Sequence, residues 1–230
     1  MNINNTLCLN HLAIITDGNR RWGEKNKLSI KEAYQTGAEN VKNIIKAAIE
    51  KKIKNLTLYG LSKENFSRPK IEIEILLAIF SRYIENEIEN LNKNGIKLKI
   101  IGNFTRISSS IQEKIKYAEA QTKDNNVMNL YIAFSYSGKE EIVDAVKKYS
   151  RANNIDNLTE ESLSKYMYSD IPPVDLLVRT GGDMRISNFL LWHINYAELY
   201  FTDKLWPEFN SEELAIAINK YYLTKRSFGV

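Results

Sequence analysis

The chain has 230 residues, 43% of them hydrophobic, which suits one large domain with a substantial core better than two small ones. Thirty-two Lys and Arg against 28 Asp and Glu leave a formal charge of +4, too mild an excess to argue for nucleic-acid binding; a polyanionic small substrate or an anionic membrane surface suits it equally. The single cysteine, Cys8, excludes an intrachain disulfide and any paired-cysteine metal or redox motif, and a free thiol in a chain this rich in Lys and Glu suggests a reducing compartment.

No basic segment followed by an apolar run opens the chain, and no stretch approaches the roughly 18 apolar residues of a spanning helix. The expectation is a soluble, cytoplasmic protein. In chain order, His11 to Thr16 is a short apolar run ended by Asp17-Gly18-Asn19, a buried strand entering a turn. Val41, Ile44, Ile45, Ala48 and Ile49 recur at helical spacing within residues 36–52, and a second strand follows at 56–61. Residues 71–91 read as one long helix with Ile73, Leu76, Leu77, Phe80, Ile84, Ile88 and Leu91 on a single face, stopped by Gly95. A strand is expected at 96–101, and Ser110 with Glu113 forms a capping box opening a helix to about Thr122. A strand at 127–134, a helix at 140–149, a polar loop at 151–157 and a short helix near 160–167 come next. Pro172-Pro173 breaks the chain before a strand at 174–178, and Asn210 with Glu213 caps a last helix. This alternation predicts the α/β class: a single domain over residues 1–230, with a central, mostly parallel sheet flanked by helices.

Several chemistries are excluded. His11 and His193 are too few and too badly spaced for a His-rich metal site, and no GxSxG elbow is present. The ten glycines form neither the dinucleotide fingerprint nor the P-loop pattern, and no Asp-Asp pair occurs.

Three constellations remain. In Asp17-Gly18-Asn19-Arg20-Arg21-Trp22, the aspartate follows a strand and so belongs at the carboxyl edge of the sheet, where open α/β folds place ligands. A helix starting there would add free N–H groups for an anion. Arg21 could grip a phosphate through two parallel bonds, and a hard carboxylate beside phosphate oxygens suits magnesium. The same hexapeptide also makes an ordinary turn with two solvated arginines. Ser62-Lys63-Glu64-Asn65-Phe66-Ser67-Arg68-Pro69 again follows a strand, either as a second polar cluster at the sheet edge or as a capped loop. Arg179-Thr180-Gly181-Gly182-Asp183-Met184-Arg185-Ile186-Ser187-Asn188 places two guanidiniums and a hydroxyl around a glycine turn, which suits a diphosphate. Glu198, inside an aromatic run, needs a metal or an arginine beside it if buried.

These ordered segments resemble the cis-prenyltransferase family nearly end to end. The likeness runs from His11-Leu12-Ala13-Ile14-Ile15 into Asp17-Gly18-Asn19, through Leu58-Tyr59 to Glu64-Asn65, and through Pro173-Val174-Asp175-Leu176-Leu177 into Arg179-Thr180-Gly181-Gly182. It continues over Arg185 to Trp192, Tyr196 to Phe201 and Trp206-Pro207, and closes at Arg226-Ser227-Phe228-Gly229. The resemblance implies a homodimer, a hydrophobic tunnel, and condensation of isopentenyl diphosphate with an allylic diphosphate, farnesyl diphosphate being the expected primer. The product expected is a long cis-polyprenyl diphosphate of the kind that carries cell-wall precursors. By the family pattern Asp17 binds Mg²⁺ and Glu198 is a second metal ligand. Gly18, Asn19, Arg20, Arg21 and Trp22 hold the allylic diphosphate, and Ser62, Lys63, Glu64, Phe66 and Arg68 contact substrate. Arg179, Arg185, Ile186 and Ser187 match the isopentenyl diphosphate site. Asn65 falls where the family has a proton acceptor, yet a neutral amide is a very poor base, and orienting a diphosphate oxygen or a water suits it better. Release of a long lipid product implies transient contact with a membrane surface.

The chain departs from the pattern at Ile30, usually Arg, at Tyr34, usually His, and at Phe66, usually Trp. Positions 30 and 34 normally meet the allylic diphosphate, so a short or branched product stays open. A catalytically silent partner subunit is the other alternative, countered by the presence of Asp17 and Arg179.

Overall fold

His11–Ile15, all five residues buried, form strand β1 in the interior of the sheet. A strand covered on both faces reads as a continuous apolar run, yet its side chains still alternate. Leu12 and Ile14 enter one core while Ala13 and Ile15 enter the other. The structure, a computed structural model, describes residues 8–224, so the closing motif at 226–229 lies outside the described residues.

After β1 come α1 (Asn19–Lys25), α2 (Ile30–Glu50), β2 (Asn55–Ser62), α3 (Lys70–Asn86), α4 (Ile88–Lys93) and β3 (Ile96–Ile101). They are followed by α5 (Ser109–Thr122), β4 (Met128–Tyr136), α6 (Gly138–Ala152), α7 (Glu160–Ser164), β5 (Leu176–Arg179), β6 (Glu198–Phe201) and α8 (Ser211–Leu223). The sheet order is β3-β4-β2-β1-β5-β6, with every neighbouring pair parallel. The larger core packs α2, α3, α4, α5 and α8 on one face. On the other, Tyr59 stacks on Phe189 with ring centroids 4.4 Å apart. From β1 the chain moves to β2 on one side, and from β5 to β6 on the other. The carboxyl ends of β1 and β5 therefore release their chains in opposite directions, which opens a crevice between them.

Local chemistry explains where element boundaries differ from the periodicity. Helix α2 starts at Ile30 rather than near residue 36, because Ser29 and Glu32 form a reciprocal capping box. The helix expected over 71–91 breaks at Glu87, which ends α3 and leads into α4. Helix α5 is capped by Ser108, whose hydroxyl accepts from the Ile111 N–H, so Ser110 already lies inside the first turn. Helix α6 reaches Ala152, and a 3-10 turn at Ile155–Asn157 occupies the segment expected to be loop. Strand β6, an edge of four residues, carries too short a pattern to be read from periodicity. Among the described residues no helix is long and apolar enough to cross a membrane.

Both histidines are buried at the amino end of the sheet rather than near its carboxyl edge: His11 opens β1, and the His193 carbonyl accepts from the Val174 N–H ahead of β5. His11 Nδ1 lies 2.7 Å from the Pro172 carbonyl, and Nε2 lies 2.8 Å from the Thr57 hydroxyl. A carbonyl only accepts, so Nδ1 donates to it and Nε2 accepts from Thr57, the bonding pattern of a neutral imidazole. Burial pushes the pKa of His11 down to about 4; burial, and then the neighbouring His11, do the same for His193. An unfolded histidine takes up its proton near 6.5, so the unfolded chain binds more protons between pH 6.5 and 4. The histidine contribution to stability is complete above pH 6.5 and is lost as pH falls towards 4. We expect urea denaturation to show a loss on the order of 5 kcal/mol between pH 7 and 4.5, with His193→Gln removing about half of it. A flat wild-type profile across that window would refute the neutral assignment.

Candidate active site

Arg179 is the last residue of β5 and lies beside Ile15 in the β1 ladder. Two residues beyond Ile15, Asp17 accepts from Arg179 Nη2 at 2.9 Å through Oδ2 and meets Arg21 Nη2 at 3.5 Å through Oδ1. The backbone behind Asp17 is held as well: its carbonyl accepts from the Thr180 hydroxyl at 2.7 Å and from the Trp206 N–H at 2.9 Å. Trp206 is fully buried and is itself anchored, since its indole N–H donates to the Gly37 carbonyl at 2.7 Å. Asp17 thus sits on a backbone tied to two other segments, with its carboxylate one-third exposed at the crevice.

The Arg179 side chain is almost fully buried, and its other nitrogen, Nη1, donates to the Arg185 carbonyl and to Ser187 Oγ at 2.8 Å. Asp183 gathers three arginines: Arg185 at 2.8 Å, Arg179 at 3.5 Å and Arg21 at 3.9 Å. Two glycines make this approach possible. Gly18 has φ +110° where the chain turns into α1, and Gly181 has φ +91°, a region that L residues rarely adopt. A Cβ on Gly181 would stand 2.6 Å from Arg21 Nη2, and Arg21 Nη1 donates to the Gly181 carbonyl at 2.5 Å. Two buried polar atoms here, Asn19 Oδ1 and Arg179 Nε, have no hydrogen-bond partner among the described residues.

A polar basin of about 500 Å³ opens at this edge. Asp17, Gly18, Asn19, Arg20, Arg21, Tyr34, Ser62, Asn65, Arg68, Arg179, Arg185 and Ser187, all expected from sequence, line it. Its five arginines outnumber its three carboxylates, Asp17, Glu24 and Asp183, so the basin favours anions. Asn65 Oδ1 accepts from the Ser62 N–H at 3.1 Å, which commits the amide oxygen to the loop and leaves its NH₂ as the free donor.

Other expected residues fall outside the basin lining. Trp22 is half-buried on α1, and Lys63 pairs with Glu140 at 3.4 Å. Glu64 accepts from Asn188 at 3.0 Å. Phe66 packs on the larger core and Ile186 on the smaller. Glu198 opens β6 beside Leu176, whereas Phe201 is the residue beside Arg179. Within one chain Glu198 therefore stands at the amino end of its strand, away from Asp17.

Two site residues escape motif reading. Asp183 holds three arginines, and its signal in sequence is only that it lies between Arg179 and Arg185. Glu72 is a buried carboxylate on α3 that accepts from the Tyr34 hydroxyl at 2.7 Å and pairs with Arg68 at 3.2 Å and Arg20 at 3.7 Å. Arg68 also donates to the Tyr34 oxygen at 2.9 Å. Burial, and then the bond to Glu72, push the Tyr34 phenol well above its ordinary range, so it stays protonated and donates. Tyr34 thereby holds Arg68 directly and Arg20 only through Glu72.

Beneath the basin, between α2, α3 and the sheet, runs an apolar cavity of about 590 Å³. Thr16, Asn19, Tyr34, Gly60 and Leu76 line both spaces. The two spaces therefore adjoin across these five residues, an arginine-rich basin beside an apolar cavity.

A prenyltransferase family model described as "Putative undecaprenyl diphosphate synthase" matches residues 15–229. An isoprenyl transferase of Rickettsia felis is 44% identical over 222 residues, covering 96% of this chain and 94% of its own. A farnesyl-diphosphate-specific ditrans,polycis-undecaprenyl-diphosphate synthase of Buchnera aphidicola is 44% identical, covering 96% and 91%. Among solved structures, lavandulyl diphosphate synthase from Lavandula x intermedia, in complex with dimethylallyl diphosphate, superposes with a TM-score of 0.92 at 34% identity, covering 96% of this chain and 98% of its own. A "probable undecaprenyl diphosphate synthase" from Campylobacter jejuni gives 0.83 at 32%, covering 97% and 100%.

The Tyr34–Arg68–Glu72 cluster has a structural cost that can be measured without substrate. Glu72→Gln removes the buried charge facing two arginines and is expected to lower unfolding stability by about 1–3 kcal/mol. Tyr34→Phe removes two hydrogen bonds, to Glu72 and from Arg68, and should cost about 1–2 kcal/mol, less than Glu72→Gln. Chemical denaturation of the two variants checks both the size and the order.

Proposed function

This chain belongs to the undecaprenyl diphosphate synthase family of prenyltransferases, and from that membership we propose that its basin and channel condense isopentenyl diphosphate with an allylic diphosphate into a cis-polyprenyl diphosphate. The observation that carries the reading is the adjacency of an arginine-rich chamber and an apolar cavity across five shared wall residues. A diphosphate head and an isoprenoid tail need those two environments, joined in that order.

Arg20 and Arg68 are assigned to the allylic diphosphate, since Glu72 holds both beside Tyr34, which also lines the apolar cavity, and the family pattern adds Arg21. Arg179, Arg185 and Ser187 are assigned to isopentenyl diphosphate at the crevice between β1 and β5. Charge-assisted bonds from guanidiniums hold phosphate oxygens with defined geometry and fix the two substrates relative to each other. Such positioning supplies on the order of 7–11 kcal/mol of rate acceleration at its upper limit. Asn65, through its free NH₂, orients a diphosphate oxygen that accepts the proton lost from the isopentenyl carbon.

The residues also suit magnesium. Such a site uses one or two carboxylates together with substrate phosphate oxygens, and Asp17 and Asp183 contact the same Arg179 nitrogen. Asp17, with Asp183 beside it, would hold the ion, whose contribution is to neutralise the charge that builds on the departing diphosphate. Glu198, at the other end of its strand, can serve the metal only across a contact between two copies, as in the homodimer that the family resemblance implies. Transient contact of the assembled enzyme with a membrane surface is proposed for release of the lipid product.

Asp17→Ala is expected to abolish incorporation of labelled isopentenyl diphosphate while the circular dichroism spectrum is unchanged; near-normal turnover would refute the metal assignment. Arg185→Ala should raise KM for isopentenyl diphosphate about 10- to 100-fold, the loss of a charge-assisted bond, with a smaller effect on KM for the allylic partner. A larger effect on KM for the allylic partner would show that the two head groups are assigned the wrong way.

A further inference from the structure

Two consecutive residues of the loop after β5, Ser187 and Asn188, hold left-handed backbone, with φ of +47° and +62°. Asparagine tolerates that region, whereas serine enters it only where the surroundings enforce it. Ser187 is the residue whose hydroxyl accepts from Arg179 at 2.8 Å, and its carbonyl accepts from the Tyr59 hydroxyl at 3.4 Å. The conformation of this turn therefore decides where a site hydroxyl stands.

Asn188 commits its whole carboxamide outside its own loop. Its Oδ1 accepts from the Lys139 N–H at 3.0 Å, and its NH₂ donates to Ser137 Oγ at 2.7 Å and to Glu64 Oε1 at 3.0 Å. Its backbone carbonyl accepts from the Gly138 N–H at 2.8 Å. The fit is close, since a Cβ on Gly138 would stand 2.9 Å from that carbonyl oxygen and 2.8 Å from the Leu191 side chain. Three segments meet at this one side chain: the loop after β5, the start of α6 after β4, and the turn after β2 that carries Glu64. Asn65 follows Glu64 directly, and Lys63 on its other side is held to the same helix end by Glu140 at 3.4 Å. Asn188 itself is half-buried and stands outside the basin lining. A carboxamide suits the seat because it offers an acceptor to a backbone N–H and donors to a carboxylate; an aspartate would set two carboxylates against each other.

We propose that Asn188 is a positioning residue that fixes two substrate loops to each other. Through the start of α6 it seats Ser187 for the isopentenyl diphosphate head group, and through Glu64 it seats Asn65 for the proton that leaves. The inference rests on the transferase reading above and adds a residue to that same site. Strand pairing does not set one loop against the other, because β1 lies between β5 and β2 in the sheet. Condensation needs head group and amide in one geometry, and a displacement of about 1 Å between them costs on the order of 10²-fold in rate. One side chain bonded to both loops supplies that geometry before substrate arrives.

The test is steady-state incorporation of labelled isopentenyl diphosphate with farnesyl diphosphate and Mg²⁺, with circular dichroism to check the fold. Asn188→Gly keeps the left-handed backbone and its bond to Gly138 but removes the three side-chain bonds. It is expected to raise KM for isopentenyl diphosphate about 10-fold and lower kcat about 10-fold, with KM for farnesyl diphosphate within about twofold. Glu64→Ala, a change at an exposed residue, breaks only the link towards Asn65. It should lower kcat about 10-fold with KM for isopentenyl diphosphate within about twofold, and Glu64→Gln, whose amide oxygen still accepts, should recover most of kcat. Adding Glu64→Ala to Asn188→Gly should lower kcat no further, since the shared bond is already gone. Asn188→Gly kinetics close to wild type would show that only the backbone conformation matters, and equal rises in both KM values would show a site merely loosened. Either result overturns the proposal, as does a multiplicative loss of kcat in the double variant. If Asn188→Gly does not fold, the Glu64 pair decides, and equal kcat in its Ala and Gln variants overturns the proposal. Absence of any incorporation by the wild-type enzyme would instead refute the transferase reading, so the two failures are distinguishable.

Discussion

Burial of the Arg179 guanidinium at the carboxyl ends of β1 and β5 is the constraint around which the site is built. Taking such a cation out of water costs several kcal/mol unless carboxylates and carbonyls replace the lost hydration. Asp17, Asp183, Ser187 and the Arg185 carbonyl supply that replacement. The loop that follows β5 is therefore drawn back over the strand it has just left, and the Arg185 side chain returns with it to Asp183. One desolvated charge organises a turn, a carboxylate pair and a second arginine.

The same pairs explain how the basin can be rich in arginine before any substrate arrives. Five guanidiniums facing one another would repel, and the acidic side chains among them hold each one oriented. Asp183 and Glu72 do this in two separate groups, one at the crevice and one at the channel rim. A diphosphate entering either group exchanges partners with groups already in position, so little ordering is left for the moment of binding.

The sheet also decides how head and tail are separated. Its carboxyl edge collects the loops that carry charge, while the face under α2 and α3 carries only apolar side chains from alternate positions of β2, β3 and β4. Because the two surfaces meet at Gly60 and Thr16, a substrate turns from edge to face within its own length.

Much of this was legible along the chain. The apolar run before Asp17, the strand before Arg179 and the alternation of strands with helices lead to a parallel α/β sheet, and the ordered motifs identify most of the residues that line the basin. These are local patterns, set by spacings of a few residues and by turn chemistry. Strand β6 and the start of α2 were harder, because four residues carry little periodicity and because the capping at Ser29 precedes the apolar stripe. Other facts depended on register across long stretches of chain. The bond from Arg179 to Asp17 joins residues 162 positions apart, and Tyr34 meets Glu72 across two helices. Glu198 and Arg179 sit on adjacent strands yet at opposite ends of the ladder. The order of residues determined the class of fold and the chemistry gathered at the edge of the sheet. Strand pairing and helix packing alone decided which of those groups touch, because such contacts are set by distances in space that no spacing along the chain encodes.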